Sequence, residues 1–135
     1  MDTLSKPERS ERMSRVRSTD TAPELFVRRI VHAMGFRYRL HDRRLPGSPD
    51  LVFPRLRRII FVHGCFWHHH SGCGRLPKSN LSFWIPKLEN NAKRDRKNLG
   101  ALKKLGWQVM VVWECQLRSS RLKEKLRRFL KGGEK

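Results

Sequence analysis

Acid is what this chain has least of. Only 12 Asp and Glu stand against 31 Lys and Arg in 135 residues, a formal net charge of +19. The bases run through the whole sequence rather than one tail. Such a field attracts a polyanion, and nucleic acid is the commonest one; a basic protein with no nucleic-acid role is the plainer alternative. Long apolar runs are missing, which excludes a membrane-spanning helix. No stretch pairs a basic face with a broad apolar one, which argues against an anionic membrane surface. The first residues carry no signal-peptide pattern. Cysteine is nearly absent: Cys65, Cys73 and Cys115 cannot all pair as disulfides within one chain. A cytoplasmic protein with reduced thiols is therefore the expectation. Repeats and low-complexity blocks are lacking too, and the length suits one compact domain.

What is present reads as an α/β domain spanning 19–135, preceded by a basic arm or short helix over 1–18. Within that arm, residues 5–18 hold only Met13 and Val16 as apolar side chains and suit ordering on nucleic acid. Thr21-Ala22-Pro23-Glu24 offers an N-cap Thr, a first-turn Pro and a Glu three positions on, a capping box. Leu25, Phe26, Ile30, Val31 and Met34 then recur at helical spacing until Gly35. Phe36, Tyr38 and Leu40 alternate with Arg37, Arg39 and His41, as in a half-buried strand. A turn at 45–49 leads to a short strand, Asp50-Leu51-Val52-Phe53. Pro54 and Arg55 break the chain before the buried strand Ile59-Ile60-Phe61-Val62. A long helix is expected over 82–105, with Pro86 in its first turn. Its apolar stripe is Trp84, Leu88, Ala92, Leu99, Leu102 and Leu105. Residues 107–113, apolar on both faces except Gln108, predict a central strand. A last helix over 120–130 turns Leu122, Leu126, Phe129 and Leu130 inward. The sum is a small mixed sheet flanked by helices.

The densest chemistry lies in His63-Gly64-Cys65-Phe66-Trp67-His68-His69-His70-Ser71-Gly72-Cys73. Cys65, His70, Cys73 and Cys115 are a soft thiolate-and-imidazole set that satisfies tetrahedral zinc and selects it over magnesium. With four ligands filled, the ion would be structural and would pin the loop to the end of the last strand. His68 or His69 offers the same donor as His70, and small core cysteines are the plain alternative. Because acids are scarce, Asp50 stands out beside its turn. A carboxylate there can hold Mg²⁺, with carbonyls and water completing the shell, while His63 and His68 can activate water or protonate a leaving oxygen. Taken singly, Asp50 also reads as a turn cap, and the two histidines as surface residues. Glu24 has its capping role and, more weakly, an outer-shell place near that metal.

Phe66 and Trp67 sit in the loop that zinc would hold rigid. Exposed, they could wedge between bases, with Met13 entering from another side; core packing is their usual fate. Trp84 reads more naturally as core. Lys87, Asn91, Arg94, Asp95 and Arg96 recur on the long helix either as a solvated face or as phosphate and sugar contacts.

These residues resemble those of the very-short-patch repair endonucleases. The similar stretches are the run from Arg12-Met13-Ser14-Arg15 to Thr21-Ala22-Pro23-Glu24-Leu25; Leu45-Pro46-Gly47-Ser48-Pro49-Asp50; the His63-Gly64-Cys65-Phe66-Trp67-His68 block; Phe83-Trp84 with Lys87, Asn91, Arg94 and Asp95; and Gly106-Trp107 through Val112-Trp113-Glu114-Cys115. They fall in order over roughly 8–118. The resemblance implies a bacterial, nucleoid-associated enzyme with a restriction-endonuclease-like fold. It would act as a monomer on double-stranded DNA, with repair proteins as possible partners. It would use Mg²⁺ to nick the T strand 5′ of a T:G mismatch left by 5-methylcytosine deamination, leaving a 5′-phosphate.

By the same resemblance, Asp50 and the Val62 carbonyl hold the Mg²⁺, and His63 and His68 are catalytic. Cys65, His70, Cys73 and Cys115 hold Zn²⁺. Met13, Phe66 and Trp67 flank the mismatch, with Trp84, Lys87, Asn91, Arg94 and Asp95 on the DNA. The chain departs from the wider nuclease fold in having Phe61-Val62-His63 where an acid-x-Lys strand end is usual, so histidines replace the lysine. Two other readings stand beside this one. A zinc-stabilised DNA-binding module would need the charge and the aromatics but not Asp50, His63 and His68 around one metal. A restriction-like nickase would cut matched DNA.

Overall fold

The computed structural model describes residues 21–65, 68, 70 and 79–131. Met13, Phe66, Trp67, His69, Cys73 and the whole 1–18 arm lie outside them, so the expectations placed on those residues receive no structural account.

Helix α1 covers Ala22–Ala33 and begins at an N-cap Thr21 whose Oγ1 accepts from the Glu24 amide at 3.4 Å. Its phase differs from the expected stripe. Glu24, Val27 and Val31 face inward, while Leu25 is 38% and Phe26 45% exposed. The capping-box acid is itself the reason: its carboxylate is taken up by Arg28 and His41, which turns that face of the helix toward the sheet.

The sheet runs β1-β2-β3-β4, with β1 at Arg39–Leu40, β2 at Leu51–Phe53, β3 at Arg58–His63 and β4 at Gln108–Trp113. The first three form an antiparallel meander; β4 joins β3 in parallel, with Arg58 opposite Gln108 and His63 opposite Trp113. A parallel neighbour needs a long crossover, and α2 at Leu81–Lys104 supplies it. A 3₁₀ turn at Glu114–Gln116 and helix α3 at Leu122–Lys131 follow. Among the described residues β4 is an edge strand, not the central one its apolar run suggested. Its residues 109–111 are only half-buried, because α2 shields one face where a further strand would shield a side.

Strand alternation sorts the core into two layers. Leu51, Phe53, Ile60, Val62 and Val112 pack against α1 and α3 through Val27, Val31, Leu122, Leu126 and Leu130. On the opposite face Val52, Ile59 and Phe61 meet Leu102 and Trp107 under α2. The result is a mixed four-stranded sheet with helices on both faces. Two details of α2 correct the expectation. Pro86 is its sixth residue rather than in the first turn, so it removes a ladder bond. Leu105 is 54% exposed, and Trp84 belongs to neither core layer. The 45–49 turn forms as expected. Gly47 adopts φ +79°, and a Cβ there would sit 3.1 Å from Asn98 of α2. The turn therefore packs directly on that helix.

Because β1, β3 and β4 end where β2 begins, one end of the sheet gathers His41, Asp50, His63 and Trp113.

Candidate functional site

At that end Asp50 precedes β2, and its Oδ2 accepts from the Val62 amide of β3 at 2.7 Å. The Val62 peptide, whose carbonyl was the expected metal ligand, is thus tied to the expected carboxylate. Asp50 also shares a hydrogen bond with Glu24. Burial first, and then this neighbouring carboxyl, push the Asp50 carboxyl up to about 8. Glu24 is only 2% exposed. One of its oxygens meets Arg28, and the other lies 2.7 Å from His41 Nε2. Glu24, His41 and Asp50 hold donor atoms within 4.8 Å of one another. The weak outer-shell expectation for Glu24 therefore gains direct contact with Asp50. Neither Arg28 nor His41 emerged from the sequence; the i,i+4 spacing of Glu24 and Arg28 was the available signal for one of them.

One residue beyond Val62, the chain enters a second cluster. His63 is 4% exposed, and its ring stacks on His68 with centroids 3.8 Å apart and planes 3° from parallel. Burial, and then the neighbouring His68, lower the His63 pKa to about 3, so its imidazole is neutral at neutral pH. The Nδ1 of His63 is buried and without a hydrogen-bond partner among the described residues. His68 Nδ1 lies 2.5 Å from Asp95 Oδ2. A carboxylate accepts there, so Nδ1 carries a proton and donates it to Asp95. Asp95, expected among the DNA contacts, also gives its carboxylate to His68.

Three of the four expected zinc ligands meet on the other side of Trp113. Cys65, His70 and Cys115 have donor atoms within 4.8 Å of one another. Cys115 Sγ is 3.5 Å from His70 Nδ1, and the Cys115 amide donates to Cys65 Sγ at 3.4 Å. Cys73, the fourth, lies outside the described residues. Two sulfurs and an imidazole nitrogen converging without a disulfide are a donor set that fits zinc. Of the consecutive histidines, His70 joins the cysteines and His68 joins Asp95. Trp113 stands between the clusters, stacked on His70 with centroids 4.1 Å apart and edge-on to His63 at 5.1 Å.

At the start of α2, Phe83 is 58% exposed and packs edge-on against half-buried Trp84, and Lys87 Nζ sits 5.4 Å from the Trp84 ring. Asn91 Oδ1 accepts from Arg94 at 2.9 Å. This is a mixed aromatic and basic surface of the kind that meets bases and phosphates. No helix among the described residues is long and apolar enough to cross a membrane.

The chain is similar in sequence to proteins of known activity. The family model for the DNA mismatch endonuclease Vsr matches residues 1–74. A Type II nicking enzyme of Xanthomonas oryzae, V.XorIIP, is 52% identical over 118 residues, covering 86% of each chain. V.NmeAIP of Neisseria meningitidis, also a Type II nicking enzyme, is 42% identical across 96% of this chain and 94% of its own. The DNA mismatch endonuclease Vsr of Escherichia coli is 41% identical across 87% of this chain and 76% of its own. With the family model over more than half of the chain and relatives of this identity and coverage, the chain belongs to the Vsr family of DNA mismatch endonucleases and is a DNA-cleaving hydrolase.

Proposed function

We propose that this endonuclease nicks the T strand of a duplex immediately 5′ of a T:G mismatch, in a Mg²⁺-dependent reaction on a restriction-endonuclease-like fold stapled by structural zinc. The observation that carries the reading is the pairing, at one sheet end, of a metal-type acid pair with an oriented histidine. Asp50 and the Val62 carbonyl would hold the Mg²⁺, with Glu24 behind them. A cradle with a neighbouring acid pair fits a dication, because the second charge that repels a lone carboxylate is then neutralised. When bound, Mg²⁺ supplies a positive charge beside the scissile phosphate and stabilises the negative charge that builds there.

The chain's own residues supply the proton chemistry. Asp95 holds His68 in the tautomer whose Nε2 can take a proton from an attacking water. His63, neutral and packed face to face against His68, fixes that ring and excludes water from its far side. Cys65, His70, Cys73 and Cys115 would hold the Zn²⁺ that ties the histidine loop to the end of β4. The 1–18 arm with Met13, the loop pair Phe66 and Trp67, and the α2 surface of Trp84, Lys87, Asn91 and Arg94 would grip the mismatched duplex. Asp95 acts through His68.

The test is strand-specific cleavage of an end-labelled duplex with one T:G pair, with and without Mg²⁺, beside a matched T:A duplex and an Asp50→Ala protein. A single Mg²⁺-dependent cut 5′ of the mispaired T, absent from both controls, supports the reading. Equal cutting of the matched duplex would replace it with a site-specific nickase. Cleavage by Asp50→Ala would remove Asp50 from the site.

A further inference from the structure

His41 touches both members of the acid pair, by two different parts of itself. Its imidazole Nε2 is 2.7 Å from Glu24 Oε1, and its backbone amide donates to the Asp50 carbonyl at 3.3 Å. The second bond extends the β1–β2 register by one step: Arg39 pairs with Val52, Leu40 with Leu51, and then His41 with Asp50. At that step the chain leaves the strand. His41 takes φ +46°, the left-handed region that side-chain-bearing residues seldom enter. A local strain kept next to a functional group indicates that the position is set by what the side chain does there. Here the turn brings the imidazole to α1 and onto a carboxylate that is otherwise buried.

We infer that His41 is a positioning residue for the metal-holding carboxylates, fixing Glu24 and Asp50 relative to one another before any ion arrives. Arg28 secures one oxygen of Glu24 and His41 the other, so the carboxylate cannot swing wholly onto the guanidinium. Arg28 Nη2 also lies 3.3 Å from the His41 nitrogen, so the base, the acid and the imidazole form one closed contact. A carboxylate held on both oxygens keeps a fixed distance to its partner acid. The dication then meets a preformed pair instead of ordering it. The inference rests on the reading of Asp50 and Glu24 as the metal-holding pair.

The test measures Mn²⁺ binding by electron paramagnetic resonance in the zinc-supplemented protein, so that the thiolate site does not compete. His41→Asn tolerates the left-handed backbone but is too short to reach Glu24. His41→Gln restores an N–H donor at nearly the original reach. The expected result is a loss of Mn²⁺ affinity of about tenfold or more for His41→Asn, with His41→Gln within about threefold of the parent and both melting near it. In nicking assays His41→Asn should raise the half-saturating Mg²⁺ concentration, while saturating Mg²⁺ recovers most of the maximal rate. Parental Mn²⁺ affinity in His41→Asn would overturn the inference. Equal loss in His41→Asn and His41→Gln would also overturn it, assigning His41 a packing role. If the parent binds no Mn²⁺, or Asp50→Asn binds it as well as the parent, the acid-pair reading itself falls.

Discussion

In the proposed site, proton and metal would compete for the same Asp50 carboxyl, and the competition has a calculable size. With Asp50 raised to about 8, about 1% of the free protein carries the ionised form at pH 6, about a tenth at pH 7 and about half at pH 8. A dication that needs the carboxylate should therefore bind about tenfold more tightly at pH 7 than at pH 6. It should gain about fivefold more by pH 8 and at most about twofold beyond. Isothermal titration with Mg²⁺, repeated in buffers of different ionisation enthalpy, would show close to one proton released per ion at pH 6 and about half that at pH 8. The same group gives a stability signature in the metal-free protein. Its folded pKa lies above the unfolded value near 4, so the folded state binds the extra proton. The stability it contributes is full below pH 4 and is lost as pH rises through 8. His63 works in the opposite sense. Its pKa is lowered to about 3 in the fold, so its contribution is full above pH 6.5 and is lost as pH falls toward 3. The window from pH 6.5 to 8 therefore separates Asp50 from His63. Melting of the metal-free protein should fall across it, and Asp50→Asn should flatten that fall. An Mg²⁺ affinity that is level from pH 6 to 8 would refute the raised carboxyl, as would a pH slope that survives in Asp50→Asn.

Asp95→Asn should keep DNA binding but slow single-turnover nicking by about 10²–10⁴-fold, the usual worth of an oriented general base; a loss under threefold would detach Asp95 from the chemistry. Cys115→Ser should lower both bound zinc, measured by atomic emission, and the melting temperature; full zinc and a normal melt would argue that the thiols are only packed. Gly47→Ala should destabilise the fold by about 1–3 kcal/mol in chemical denaturation, because its φ of +79° is unfavourable for Ala and Asn98 of α2 crowds the new Cβ. DNA affinity should fall linearly on a log–log plot against salt; a flat plot would contradict a grip built on Lys and Arg.

Several parts of the site were legible because their chemistry is local. Cys65 and Cys115 could be grouped by donor type alone, and they meet in the structure. Asp50 beside a turn and His63 at the end of an apolar run mark strand ends, and antiparallel pairing brings those ends together. The phase of α1 was misjudged because apolar periodicity favours Leu25 and Phe26, whereas a buried carboxylate at Glu24 sets the rotation. Trp107 to Trp113 looked doubly buried, since hydropathy does not distinguish cover by a helix from cover by a strand. Asp95 on an outwardly polar helix gave no hint that it reaches His68. That contact spans 27 positions and depends on how α2 crosses the sheet. His41 was hidden in the alternation of a strand that ends one residue earlier than the pattern implies.

The parallel pairing of β3 with β4 has a consequence for what the proposed site needs of the chain. The meander up to His63 relies on near-neighbour pairings and holds Asp50 at the start of β2. What completes the base comes late: Asp95 arrives with α2 and Trp113 with β4, and the Cys65–Cys115 contact closes across 50 positions. In the proposed mechanism, strand scission therefore requires these distant contacts as well as the meander. A molecule cut off before α2 would carry Glu24 and Asp50 but lack Asp95, the partner of His68. On that reading the acids alone would not arm an enzyme whose net charge of +19 attracts DNA.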